Sequence, residues 1–392
     1  MGVVQLPEEL VALREAIRSF IQREVAPKEA MYAQEIGETG TFAALEQERK
    51  ALRKRSAAEG FYTLFMPESC GGSGVGYLGL ALCMEECHRH GLLLAMAGGV
   101  LPSVEGPTPI LLDGTPAQQE RYLQPTMRAE REACFALTEP DAGSDATRIR
   151  ARAERVDGGW MINGRKHFIT HGAQADYVIL FAVTEPGLGA KGGITCFLVD
   201  ADTPGFEVGR RQRTMYDEHQ VELVFTDCRV GDDAVLGKQG YGFYSAMKWI
   251  NGGRVSIASM ALGTAQHLYD RMLEYAKVRE AFGRRIGANQ YVQGMIVDSL
   301  AELTQARLLV YQMADAIDQG ADGRQQGALA KYVATEMVGR VADRAIQVFG
   351  GNGYMTEMGI ERWARFVRGM RLYEGTSEIL KTNVARTLGL PS

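Results

Sequence analysis

RAERV, then DGG, then WMINGRKHFIT (Arg152–Thr170) is the stretch on which the reading of the chain turns. Two strand-like runs flank Asp157-Gly158-Gly159. Asp-Gly between such runs is a strong hairpin signal, because the tight turns that match strand twist need positive φ at their centre. Working outward, YVILFAVT (Tyr177–Thr184), GITCFLVD (Gly193–Asp200) and QVELVFTDCRV (Gln220–Val230) follow, with turn residues between them. Short strands at this spacing, without intervening helices, predict an antiparallel barrel or sandwich rather than a βαβ nucleotide fold.

On both sides of this region the period changes to that of helices. LREAIRSFIQREV, FAALEQERKALRKRSAAEG and YLGLALCMEECHRHG place apolar residues at three- and four-residue spacing, and the last two stop at Gly60 and Gly91. MPESCGGSGVG between them reads as a loop. From about Tyr241 the helices are long: one runs from Arg254 without a proline. Gln290–Gln319 carries a stripe of Val292, Ile296, Leu300, Leu303, Val310, Met313 and Ile317. Leu329–Phe349 carries Val333, Met337, Val341, Ala345 and Val348. Stripes of this length predict a bundle. The expected fold is multi-domain α+β: an N-terminal α-helical domain over 1–130, a middle antiparallel β-barrel or sandwich domain over 131–239, and a C-terminal four-helix bundle over 240–392.

Composition narrows the function. With 43 Lys+Arg against 48 Asp+Glu the net charge is −5, which argues against a protein that grips nucleic acid through its phosphates. Glycine is over-used at 46 of 392 residues, against a usual share of about 7%. No apolar run reaches the ~18 residues that span a bilayer. The opening MGVVQLPEEL has neither signal-peptide nor transit character, so a cytoplasmic protein without membrane partners is expected. Six dispersed cysteines read as reduced, mostly buried side chains. Cys83, Cys87, His88 and His90 in CMEECHRH cluster locally, but their spacing fits no common zinc pattern, and no metal site is assigned.

There is no P-loop, HExxH, GxSxG or strand-borne GxGxxG. Instead, four segments stand in a fixed order: CFALTEPDAGSD (Cys134–Asp145), KHFITHGAQADY (Lys166–Tyr177), REAFGRRIGANQ (Arg279–Gln290) with IQVFGGNGY (Ile346–Tyr354), and RLYEGTSEI (Arg371–Ile379). Together they resemble the acyl-CoA dehydrogenase family over nearly the whole chain, in its form with the base in a C-terminal Y-E-G-T motif.

The resemblance implies an FAD lying between the β-domain and the C-terminal bundle, completed by a partner subunit of a homotetramer. Phe135, Leu137 and Thr138 match the strand whose backbone and hydroxyl reach the flavin edge. Gly143 and Ser144 match the loop that follows, with the serine also touching the CoA moiety. Phe168, Ile169 and Thr170 match the aromatic-Ile-Thr segment against the isoalloxazine, although the family's usual residue at 168 is Trp. His171 stands where Asn is common and receives no role. Arg279, Phe282 and Gln290 match residues that reach a neighbouring subunit's FAD, and Arg is well suited to clamp a pyrophosphate. Gln347, Gly350 and Gly351 match the approach to its adenosine and pyrophosphate. Thr376 and Glu378 match further cofactor contacts, although Gln is frequent at 378. The substrate-facing set is Ser144, Asn251, Arg254, Tyr373 and Gly375.

Glu374 matches the catalytic base. Oxidising an acyl thioester to its trans-2-enoyl form requires removal of a weakly acidic α-proton, and desolvation strengthens a carboxylate for that task. In the family the thioester oxygen is held by the base's own N–H and a ribityl hydroxyl of FAD. Some members carry the base on the long helix, one residue before an Arg. That position is Gly253 here, and Asn251–Ser256 contains no carboxylate. The expected function is FAD-dependent α,β-dehydrogenation of an acyl-CoA in fatty acid or amino acid catabolism, with electrons passed to an electron-transferring flavoprotein. A flavin monooxygenase or oxidase on the same fold, and a non-catalytic acyl-CoA-binding homologue, are the alternatives. VLPSVEGPTP (Val100–Pro109) is expected to shape the acyl pocket, and short- to medium-length or branched acyl groups are the preferred substrates.

Overall fold

The protein is described by a computed structural model covering residues 6–29, 45–93, 95–216 and 219–391. The start of the second expected helix, Phe42–Ala44, and the opening Met1–Gln5 lie outside the described residues. Its main elements, in chain order, are helices α1 (Glu8–Phe20), α2 (Leu45–Ala58) and α3 (Tyr77–Arg89); strands β1 (Ala133–Ala136), β2 (Arg152–Val156), β3 (Gly159–Ile169), β4 (Tyr177–Val183), β5 (Ile194–Asp200), β6 (Phe206–Arg213), β7 (His219–Gly231) and β8 (Val235–Leu236); the long helix α4 (Gly242–Val278); a two-stranded hairpin β9 (Glu280–Ala281) and β10 (Arg284–Arg285); and helices α5 (Gln290–Asp318), α6 (Gly323–Phe349), α7 (Ile360–Met370) and α8 (Ser377–Thr387). No helix among the described residues is long and apolar enough to cross a membrane.

The chain divides into two compact units that interleave in sequence. One comprises residues 1–34, 75–97 and 251–392, the other 35–74 and 98–250. The division falls inside α4.

The second unit is built on the sheet. Its order is β6-β7-β3-β2-β4-β5-β8, with β1 added beside β4. Val156 pairs with Gly159 across the expected turn, so Gly158 (φ +78°) takes the left-handed turn position while Gly159 already belongs to β3. A Cβ on Gly159 would collide with the Val230 carbonyl of β7, which is why the second glycine is needed. Most pairings are antiparallel, but β1 and β4 run parallel, and β2 meets β4 in parallel register at Arg152 and Val183. The apolar run of β4 is continuous because both its faces are buried. Tyr177, Ile179 and Phe181 enter one core cluster with Ile194, Cys196 and Leu198 of β5, while Val178, Leu180 and Ala182 enter the other with Phe197 and Val199.

The first unit is helical. α5, α7 and α8 all pack on α6, and α3 packs against α1 and α5. Two consecutive glutamates of α3 tie these together. Glu86 receives Arg18 of α1 at 2.7 Å, and Glu85 receives Arg307 and the Tyr311 hydroxyl of α5 at 2.8 and 2.6 Å. The CMEECHRH motif is therefore an ion-paired helix end. Cys83 and Cys87 are buried, His90 meets Glu86 at 2.9 Å, and no cluster of three or more metal-ligating side chains occurs among the described residues.

The expected α5 stripe is only partly covered within the chain. Leu303 and Val310 are buried, but Leu300 is 43% exposed, and Val297 and Leu308 are exposed beside it. The α6 stripe is covered at Met337, Val341, Ala345 and Val348.

Candidate functional site

In the sheet unit two of the motifs meet at one place. The His167 N–H donates to the Thr138 carbonyl at 2.8 Å, bringing Thr138 against the end of β3. The joint is locked from below by Lys166, which is fully buried and donates to the Leu137 carbonyl at 3.0 Å and to Glu139 at 2.8 Å. Glu139 in turn accepts the Arg150 and Ala151 N–H groups. Burial pushes the Lys166 ammonium down to about 8, against the pull of Glu139. Neither Lys166 nor Glu139 was singled out in the sequence, although a Lys between strand residues beside a T-E-P turn was the available signal.

Around this joint the expected residues divide by the direction of their side chains. Leu137 and Ile169 are buried, and Phe135 stacks on Trp249 at 4.4 Å and packs on Phe181, so these three offer only backbone. Phe168 is 59% exposed and held at φ +56°, an unusual state for an aromatic residue. Thr138 and Thr170 are half-buried, and Gly143 and Ser144 are exposed. An added Cβ at Gly143 would meet nothing. An exposed aromatic face beside open backbone and two hydroxyls fits a flat heteroaromatic ring system.

His171 is not a surface residue. Its side chain is only 8% exposed and its φ is +59°, with Nδ1 3.2 Å from Arg49 and Nε2 3.5 Å from Glu105. Burial, then the charges of Arg49 and Arg53, keep its pKa well below the ordinary value. Arg53, fully buried, joins this cluster through Glu105 at 2.8 Å and Glu132 at 2.6 Å.

In the helical unit the Y-E-G-T loop crosses α6 between α7 and α8. Glu374 has φ +52° and Gly375 φ +98°. A left-handed glutamate carries strain of about 1–3 kcal/mol, which persists only where surroundings enforce it. Here they do. Arg254 of α4 donates from Nε to the Glu374 carbonyl at 3.3 Å and from Nη1 to Asn251 Oδ1 at 2.8 Å. Lys331 of α6 donates to the Gly375 carbonyl at 2.6 Å. Glu336, on the same helix, receives Arg371 at 2.8 Å and the Ser377 hydroxyl at 2.6 Å, closing the loop at both ends. The Thr376 hydroxyl caps α8 by accepting the Ile379 N–H at 3.3 Å.

The Glu374 residue as a whole is partly exposed, but its Oε2 is buried and meets no hydrogen-bond donor among the described residues. Its N–H likewise meets no acceptor among them. Burial pushes the Glu374 carboxyl up to about 7, against the opposing pull of Lys331 and Arg254. The carboxylate lies on the vacant helix position: a Cβ on Gly253 would sit 2.6 Å from Glu374 Oε2. Tyr373 and Glu378 are exposed, and Asn251, Gly375 and Thr376 are half-buried.

The remaining expected residues gather elsewhere in this unit. Asn352 donates to the Tyr275 hydroxyl at 3.0 Å, and Tyr275 stacks on Phe349 at 4.1 Å. That contact brings the end of α4 against the GGNGY turn. Arg279, Gln347, Gly350, Gly351 and Gln290 are all exposed in this part of the unit. Phe282 is fully exposed at the tip of the β9–β10 hairpin, with φ +54°. At 1.5 Å per residue, the 25 steps of chain from Arg254 along α4 to Arg279, just past its end, correspond to an axial rise of about 37 Å between the two backbones.

Family models match the chain end to end: the acyl-CoA dehydrogenase N-terminal domain over residues 7–130, the middle domain over 134–228 and the C-terminal domain over 240–389. Among characterised proteins, an acyl-CoA dehydrogenase of Bacillus subtilis is 35% identical over 98% of this chain and 99% of its own. The human mitochondrial short-chain specific acyl-CoA dehydrogenase is 35% identical over 97% of this chain and 90% of its own. A solved FAD complex of PigA superposes with a TM-score of 0.88 at 28% identity, covering all of both chains. The chain belongs to the acyl-CoA dehydrogenase family of oxidoreductases.

Proposed function

We propose that this protein is an FAD-dependent dehydrogenase that removes hydrogen from the α and β carbons of an acyl-CoA thioester, giving the trans-2-enoyl-CoA, with electrons leaving to an electron-transferring flavoprotein. The observation that carries the reading is Glu374, whose carboxylate is desolvated, titrates near neutrality and is pinned on a strained, cross-braced loop. A base of this kind is half-ionised at pH 7 yet strong enough to meet a carbon acid, the compromise that general base catalysis favours.

The chain's own residues supply position and polarity. Glu374 takes the α-proton on its carboxylate, and the unengaged Glu374 N–H is the donor for the thioester carbonyl oxygen, where charge develops. Gly375 keeps the far side of the loop free of side chain. Arg254, Asn251, Tyr373 and Ser144 are assigned to the substrate. Bound FAD supplies the acceptor for the β-hydride. Backbone of Phe135, Leu137 and Ile169, with Thr138, Gly143, Ser144, Phe168 and Thr170, is assigned to its flavin end, and Thr376 and Glu378 to further contacts. Arg279, Phe282, Gln290, Gln347, Gly350 and Gly351 are assigned to the FAD of a neighbouring subunit. The axial rise of about 37 Å between Arg254 and Arg279 and the uncovered apolar side of α5 both favour a homo-oligomer, a tetramer.

The test is anaerobic mixing with a panel of straight, branched and aryl acyl-CoAs. Bleaching of the flavin that persists until an electron-transferring flavoprotein is added supports the proposal. Rapid reoxidation by air would favour an oxidase or monooxygenase, and no bleaching with any member would favour a binding protein. Short or branched chains are expected to bleach fastest.

Gly253→Ala separates stability from activity at this site. Ala is about 1 kcal/mol better than Gly inside a helix, while its Cβ must push the Glu374 carboxylate aside. A misplacement near 1 Å costs on the order of 100-fold in rate. The variant is expected to melt no lower than the parent while kcat falls about 10- to 100-fold. An unchanged kcat would mean that the carboxylate works from elsewhere.

A further inference from the structure

Lys331 has no part in the family pattern quoted above, yet it is one of the largest fully buried side chains in the protein. It sits on the covered side of α6, with Ala334, Thr335 and Val338 buried around it. Its Nζ donates to the Gly375 carbonyl at 2.6 Å and lies 6.0 Å from the centre of the Tyr373 ring. Two consecutive carbonyls of the left-handed pair are thus held by two cations from two different helices: that of Glu374 by Arg254 and that of Gly375 by Lys331.

We propose that Lys331 is the positioning residue of the Glu374 loop: its buried ammonium fixes the Gly375 carbonyl inward and places a positive charge beneath the Glu374 carboxylate. This rests on Glu374 being the base.

The reason for a lysine here is its charge. A carbonyl needs only a neutral donor, and burying an ammonium carries a desolvation cost of several kcal/mol that a neutral donor avoids. The compensation is the attraction of Glu374, which opposes the effect of burial on both partners: burial holds the Lys331 ammonium down at about 8 while Glu374 raises it. Of the other charged groups near the loop, Glu378 and Lys381 of α8 are exposed and face each other. Arg254 faces the loop from α4, while Arg371 is engaged by Glu336, which faces the loop from α6. Lys331 and Arg254 are therefore the two charges that set where the carboxylate ionises.

The test replaces Lys331 with Met, with Gln (a donor without charge) and with Arg (the charge retained). Ionisation of Glu374 is read in the oxidised holoenzyme without substrate, from the infrared carboxyl band that disappears in Glu374→Gln. The midpoint is expected near pH 7 in the parent. It should rise by one pH unit or more in the Met and Gln variants, tenfold or more in the ionisation equilibrium, and stay within half a unit in Lys331→Arg. The acid limb of kcat should move with it while KM changes little. If Lys331→Met does not accumulate folded, Lys331→Gln carries the same readout. A midpoint that stays put without the charge overturns the proposal. If Glu374→Gln itself turned over like the parent, the base assignment would fail instead, and the two failures are distinct.

Discussion

Glu374→Gln is expected to purify with its FAD and to lose turnover by about 10²- to 10⁴-fold, the usual contribution of a positioned general base. The amide occupies the same slot under the same braces from Arg254 and Lys331 but accepts no proton. Anaerobic bleaching by the best acyl-CoA of the panel measures it, and turnover within threefold of the parent would remove Glu374 from the role. The same variant has a thermodynamic signature. A glutamate in the unfolded chain titrates near 4.5, whereas folding pushes this one up to about 7. Below pH 4.5 both states hold the proton, and the residue is neutral toward stability. Between 4.5 and 7 the unfolded state ionises first, so stability falls as pH rises through that window and stays lowered above it. Glutamine does not ionise, so the variant should be about 3 kcal/mol more stable than the parent at pH 8 and indistinguishable from it at pH 4. Thermal melts at the two pH values check the sign. A penalty of this kind is what a desolvated base imposes on the fold.

Arg53→Met is expected to have the largest effect on stability. Arg53 is fully buried between Glu105 and Glu132, at 2.8 and 2.6 Å, and also donates to the Gly98 carbonyl at 2.9 Å. Its removal leaves two buried carboxylates sharing no cation, and breaking a buried pair in this way costs about 3–5 kcal/mol. For a unit of this size that corresponds to a fall in Tm on the order of 10 °C. Arg53→Met combined with Glu105→Gln and Glu132→Gln should recover part of the loss, since neutral amides need no partner charge. A single variant melting within 2 °C of the parent would show that the cluster is hydrated rather than held by the arginine. Because this cluster lies beside Val100–Pro109, the segment read as shaping the acyl pocket, the Arg53 variant is also expected to show altered chain-length preference.

Much of the architecture was legible because it depends on local period. The strand region announces itself through Asp157-Gly158 and the runs at 177–200, and the helices through their stripes and their stops at Gly60 and Gly91. What the period could not distinguish was how many faces of an element are covered. β4 is apolar throughout because it is buried on both sides, whereas the α5 stripe is apolar yet stays uncovered at Leu300. Parallel pairing of β1 with β4 was invisible for a related reason, since register across more than 40 residues leaves no local mark. Cys83 and Cys87 cluster with His88 and His90 in the sequence without a zinc spacing, and Glu85 and Glu86 between the cysteines carry the structural role through ion pairs to other helices.

The candidate base illustrates the division. From the sequence alone came the identity of the one carboxylate in Y-E-G-T, the vacancy at Gly253 and the family pattern that links them. Nothing in the order of residues could show that the Glu374 carboxylate fills the space a side chain at Gly253 would take, 121 positions away along the chain, or that Arg254 and Lys331 brace the consecutive carbonyls of Glu374 and Gly375. Those facts decide its acidity, because desolvation and charge act through space and depend on distances that only the packed helices define.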